Sequence, residues 1–134
     1  MTGTMTQVVN PENQTKREFY YDYCYWSHDG FVTDPDTGYA SKDGPGSKYA
    51  DQQVVFETLG RDVLSAAFEG FHVSLFAYGQ TGAGKSYSMV GYGSNKGIVP
   101  ITSDAIFKQI NENKNPNVRY EVKASMLEIY NEQI

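Results

Sequence analysis

One run of residues limits this chain more than any other: Gly79-Gln-Thr-Gly-Ala-Gly-Lys-Ser86, entered from the largely apolar stretch Val73-Ser-Leu-Phe-Ala-Tyr78. It fits the pattern G-x-x-x-x-G-K-[ST], whose residue types suit one task, holding phosphate. Glycines at 79, 82 and 84 allow positive φ and let successive N–H groups converge on phosphate oxygens. A helix beginning at Lys85 turns the positive end of its dipole toward the same anion. Lys85 brings a mobile cation within reach of β- and γ-phosphates, and Ser86 brings a hydroxyl for Mg²⁺. Gly79, Gln80, Thr81, Gly82, Ala83, Gly84, Lys85 and Ser86 are therefore the candidate phosphate ligands, with Ser86 the candidate metal ligand. The competing reading is a glycine-rich turn with an exposed lysine. The strand pattern before the loop and the helix pattern after it argue against that.

The surrounding pattern alternates strand and helix. Residues 1–17 read as a polar, frayed segment in which Thr6–Val9 forms a short strand. Residues 18–26 are dense in strand-favouring aromatics. Period two directs Phe19, Tyr21, Tyr23 and Tyr25 to the core and leaves Asp22 facing water or a hydrogen-bond partner. Residues 27–48, rich in glycine and proline and without periodicity, read as a long structureless surface loop. A helix follows, capped by Asp51 and stopped by Gly70, with Val55, Leu59, Val63 and Ala66 as its apolar stripe. Gly60 inside it costs about 1 kcal/mol relative to alanine. Val73–Tyr78 reads as a buried strand. Ile98, Ile101, Ala105 and Ile106 mark a second helix to about Ile110, with Pro100 near its start. Tyr120, Val122, Ala124 and Met126 alternate with polar residues as a further strand. The expected class is α/β, a central sheet with flanking helices.

Composition narrows the function. With 134 residues, 40% hydrophobic and 20% charged, neither disorder nor a membrane bundle is favoured, and no apolar run is long enough to span a bilayer. Eleven basic residues against sixteen acidic ones give a net charge of -5, which argues against broad nucleic-acid or anionic-lipid binding. One cysteine, Cys24, cannot form an internal disulfide, and a cytoplasmic location fits best. Cys24 reads as inert packing, and His28 and His72 are too isolated for a metal cluster. Asp34-Pro-Asp-Thr-Gly38 reads as a turn rather than a calcium loop. Glu128 and Glu132 read as solvated.

The phosphate site reads as incomplete for turnover. Hydrolysis needs a group that positions water, a second carboxylate near the metal and elements that sense the γ-phosphate. Nothing after Ser86 matches these, so no residue is given a catalytic role.

Phe76-Ala-Tyr-Gly-Gln-Thr-Gly-Ala-Gly-Lys-Ser86 resembles the phosphate-loop signature of kinesin motor domains. Leu127-Glu-Ile-Tyr-Asn-Glu-Gln-Ile134 and Gly97-Ile-Val-Pro100 are also kinesin-like. Tyr23-Cys-Tyr-Trp-Ser-His28 and Tyr49-Ala50 are most similar to the kinesin-three class. The resemblance covers about residues 17–134, less than half of a family motor domain, and implies an incomplete P-loop NTPase fold. It implies ATP and Mg²⁺ as cofactors, with Tyr87 beside adenine and Gly91–Gly97 as a loop too short for a ligand pocket. The family's R-x-R-P motif has no counterpart before residue 17. Its switch motifs, N-x-x-S-S-R-S-H and D-L-A-G-S-E, fall beyond Ile134 in family order.

The expectation is the ATP-binding, N-terminal part of a cytoskeletal microtubule motor. The track contacts lie mostly outside this segment, which would bind nucleotide without competent turnover. Its cargo is not legible. The alternative is a non-motor or degenerate P-loop protein. A GTP-binding protein is disfavoured, because no N-K-x-D appears.

Overall fold

The computed structural model describes residues 3–131. Strand β1 (Met5–Val9) pairs antiparallel with β2 (Lys16–Tyr20), with Met5 opposite Tyr20 and Val9 opposite Lys16. The turn between them closes through Asn10 N–H to the Thr15 carbonyl at 2.9 Å and through the Asn10 side chain, which accepts from Glu12 N–H at 2.8 Å. The expected short strand at Thr6–Val9 is present, but the frayed segment around it is a ribbon. The expected strand over 18–26 stops at Tyr20. Its core face is also corrected: Phe19, Tyr21 and Tyr23 are exposed. Apart from the half-buried Met5 and Thr6, the two-stranded ribbon is open to solvent, so alternation alone buries little of it. Burial resumes at Cys24–Trp26, where Tyr25 Oη lies 2.5 Å from Thr58 Oγ1 on the first helix.

Residues 27–48 are not structureless. They contain a hairpin of β3 (Phe31–Thr33) and β4 (Ala40–Lys42). The turn at Asp34–Gly38 makes it possible. The Asp34 carboxylate accepts from the Thr37 N–H at 2.7 Å and from the Thr37 hydroxyl at 2.8 Å, and Gly38 N–H returns to the Asp34 carbonyl. Those hydrogen bonds hold this exposed carboxyl below its usual range.

The first helix begins where its cap directs. Asp51 accepts from Val54 N–H at 2.8 Å. Helix α1 (Gln52–Val55), a π-helical turn (Phe56–Gly60) and α2 (Arg61–Phe68) then run without a break. Gly70, at φ +94°, ends the run: Phe71 N–H reaches the Ala66 carbonyl and Gly70 N–H the Ala67 carbonyl. Helix α3 (Lys85–Met89) follows the glycine loop. A short hairpin, β5 (Gly91–Tyr92) with β6 (Asn95–Lys96), leads into α4 (Ile98–Glu112). The two long helices meet where Phe56 and Ile98, both buried, face across Gly60. A β-carbon at Gly60 would press into the Phe56 ring and lie 3.2 Å from Ile98 Cγ1. The glycine is there for close approach, which its helical position alone does not reveal.

Two expected strands are corrected. Neither Val73–Tyr78 nor the 120–126 stretch pairs with another strand among the described residues. Phe76, Tyr78 and Met126 are almost wholly exposed. A strand's faces are hidden by the layers packed on its sheet, and among the described residues these segments join no sheet. Glu128 is exposed, while Glu132 lies outside the described residues. Among the described residues no helix is long and apolar enough to cross a membrane.

Candidate functional site

The glycine loop leaves the 73–78 segment and curls back on itself. Ala83 N–H reaches the Gln80 carbonyl at 3.1 Å, closing a tight turn. Gly82 (φ +82°) and Gly84 (φ +86°) both occupy left-handed backbone, and Gly84 is the residue from which α3 starts. A side chain at either position would strain the turn. The loop is neither extended nor plugged. Beside it a cavity of about 380 Å³ is lined by Thr81, Gly82, Gly84, Lys85, Ser86, Tyr87 and Tyr92.

Lys85 is the cationic side chain lining that cavity. Its ammonium folds over the loop and donates to the Gly79 and Gln80 carbonyls, each at 2.8 Å. These contacts hold the charge at the loop, yet both acceptors are neutral carbonyls. An anion would offer the ammonium stronger, charge-assisted bonds. Ser86 is exposed on the first turn of α3, so its hydroxyl is open to a ligand. The residues present therefore fit a polyphosphate with a divalent cation. The donors at hand are one ammonium, one hydroxyl and the backbone N–H groups of the glycine loop.

Tyr87 also lines the cavity, its ring centroid 6.1 Å from that of Tyr92 and the planes inclined by 34°. The β5–β6 hairpin thus contributes one wall through Tyr92. Gln52, buried at the start of α1, donates its side-chain amide to the Tyr87 carbonyl and ties α3 to the first helix. Beside Tyr87 sits Tyr49, itself buried against Phe31 at 4.9 Å between centroids. Gln52, Tyr49 and Tyr92 escape a sequence reading. Tyr49 belongs to a stretch with family resemblance and Tyr92 to the Gly91–Gly97 loop, but nothing local marks any of the three for the cavity, and only long-range packing brings them to it.

Burial, with the phenol of Tyr87 and the charge of Asp51 adding to it, pushes the Tyr49 hydroxyl up to about 12 from the ordinary tyrosine value of 10.0. The folded chain therefore keeps a proton that the unfolded chain releases near pH 10. The contribution of Tyr49 to stability is complete below pH 10 and is lost as the pH rises toward 12. Melting curves between pH 9 and 12 should show Tyr49→Phe losing less stability over that window than the parent chain. A parallel decline would place the alkaline sensitivity elsewhere.

The kinesin motor domain family model matches residues 2–134 of this chain. Mouse (Mus musculus) kinesin-like protein KIF28 is 48% identical over 128 residues, covering 95% of this chain and 12% of that protein. Rat (Rattus norvegicus) kinesin-like protein KIF1A is 41% identical over 138 residues, covering 100% of this chain and 7% of that protein. Human (Homo sapiens) kinesin-like protein KIF13A is 38% identical over 141 residues and again spans the whole chain. KIF1A and KIF13A are of the kinesin-three class, the one the aromatic motif resembles. Among solved structures, KIF14 with ADP in complex with a microtubule superposes with a TM-score of 0.70 at 36% identity, covering 87% of this chain and 28% of that chain. The chain thus spans about an eighth or less of the curated relatives it matches. Its fold is the kinesin-like, P-loop NTPase form of the α/β class, represented in part. The chain belongs to the kinesin motor domain family.

Proposed function

We propose that residues 79–87 form the ATP-binding site of a kinesin-like microtubule motor. The observation that carries this is the curled loop between Gly79 and Ser86, with Lys85 folded over it and an open cavity beside it. Gly79, Gln80, Thr81, Gly82 and Gly84 supply backbone N–H groups to the phosphates, Ala83 joins them by exchanging the Gln80 carbonyl for a phosphate oxygen, and Lys85 supplies the cation. Ser86 holds Mg²⁺, which neutralises charge between the β- and γ-phosphates when bound. Tyr87 offers its ring to the adenine, a contact every base can make through its π-face.

Two further points support the reading. The relatives named above are kinesin-like proteins, and KIF14 was solved on a microtubule. The whole protein would couple ATP hydrolysis to movement along microtubules, in the cytoplasm and on the cytoskeleton. This stretch would bind nucleotide, and the groups that position water and sense γ-phosphate would come from outside it. The reading as a non-motor P-loop protein has no observation in its favour.

Titrating ATP with and without Mg²⁺ tests the assignment. Magnesium should tighten ATP binding to the chain, and Ser86→Ala should remove most of that increment while leaving magnesium-free binding in place. An undiminished magnesium response in Ser86→Ala would take the metal away from Ser86.

A further inference from the structure

Two hairpins far apart in sequence meet beside the candidate site. Asn95, in β6, donates from Nδ2 to the Gly38 carbonyl at 2.8 Å, and its Oδ1 accepts from the Ala40 N–H at 2.9 Å. Next to it, Ser94 Oγ donates to the Thr37 carbonyl at 2.9 Å. All three partners lie on the turn and second strand of the β3–β4 hairpin. A side-chain amide with both ends engaged on one backbone stretch fixes register as well as distance, because a slip of one residue loses both bonds.

The consequence falls on the opposite strand. Asn95 is the register partner of Tyr92, and the ring of Tyr92 lines the cavity together with Tyr87. Strand β5 is two residues long, and a ribbon this short does not hold its shape in water unaided. The same β3–β4 hairpin also braces the other ring: Phe31 packs on Tyr49, which stands beside Tyr87.

We propose that Asn95 is a positioning residue: by clamping the 91–96 hairpin to the 31–42 hairpin it holds Tyr92 as a second aromatic wall for the nucleotide base. Affinity for the base then depends on Asn95, and affinity for the phosphates does not. This rests on the nucleotide reading above.

Two probes separate the effects in the 134-residue chain: Mg-ATP, and inorganic tripolyphosphate, which carries the phosphates without a base. Asn95→Ala should weaken Mg-ATP by about fivefold or more, the scale of losing one base–ring contact. Tripolyphosphate affinity should stay the same. Tyr92→Ala should show the same pattern, and the double variant should bind no worse than Tyr92→Ala alone. Asn95→Asp keeps an acceptor for Ala40 N–H and loses the donor to Gly38, so it should fall between parent and alanine variant. Equal loss for both probes would make Asn95 a structural residue only, and unchanged Mg-ATP affinity would overturn the proposal outright. Lys85→Ala, expected to lose both probes, keeps the two readings distinct. If the parent chain binds neither probe, the phosphate site itself is wrong.

Discussion

Lys85→Ala is expected to lower ATP affinity by about 100-fold or more, taking binding below detection in an ordinary titration. A hydrogen bond to a charged group contributes about 1.5–3 kcal/mol, and the ammonium would lose at least one such bond to each of two phosphates. The change also removes the 2.8 Å bonds from Nζ to the Gly79 and Gln80 carbonyls. Part of the loss would then come from a looser turn. Lys85→Arg separates the two contributions. Arginine keeps the charge, but its planar fork does not reproduce a compact ammonium lying over two carbonyls. It should recover a fraction of the affinity and not all of it. Isothermal calorimetry at fixed Mg²⁺ reads both variants, and alanine binding as tightly as the parent would remove Lys85 from the site.

Phe56→Ala should have the largest effect on stability. The core is small: among the described residues the buried apolar ones are Ala40, Tyr49, Phe56 and Ile98, and Phe56 is the most enclosed of them at 3% exposure. Its ring fills the space that Gly60 leaves and lies against Ile98 of α4, while the Arg61 guanidinium sits 5.8 Å from its centre. Removing such a ring costs about 3–5 kcal/mol, against a total stability of about 5–15 kcal/mol for a typical domain. Loss of the helical signal at a much lower urea concentration, with α1, α2 and α4 melting together, is the expected outcome. An unchanged midpoint would mean that the two helices are held by something other than this contact.

How much could be read in advance depended on the reach of each interaction. The Asp51 cap, the Gly70 stop, the helix from Lys85 and the helix around Ile98–Ile110 are specified within one or two turns of chain. Those readings match the structure. So does the curled loop, whose glycines and lysine act on their immediate neighbours. The turn at Asp34–Gly38 is legible and is present, but the hairpin it closes is not, because strands of three residues are too short to show alternation against a glycine- and proline-rich background. The burial expected for Phe19, Phe76 and Tyr78 failed for a different reason. Alternation sets which side chains share a face, but neighbouring strands and covering helices decide whether that face is buried. Gln52 and Asn95 were not legible at all. A polar residue reads as solvated until a partner tens of residues away is seen to take its hydrogen bond.

The account depends most on the backbone between Gly79 and Ser86 acting as a cradle for a nucleotide's phosphates. Amide hydrogen exchange, followed by mass spectrometry or NMR with and without Mg-ATP, addresses it directly. Exchange of the amides from Gln80 to Ser86 should slow by at least about tenfold on addition of Mg-ATP, while the β1–β2 ribbon stays as it was. Unaltered exchange in that loop at saturating Mg-ATP would contradict the account, whatever the rest of the chain does.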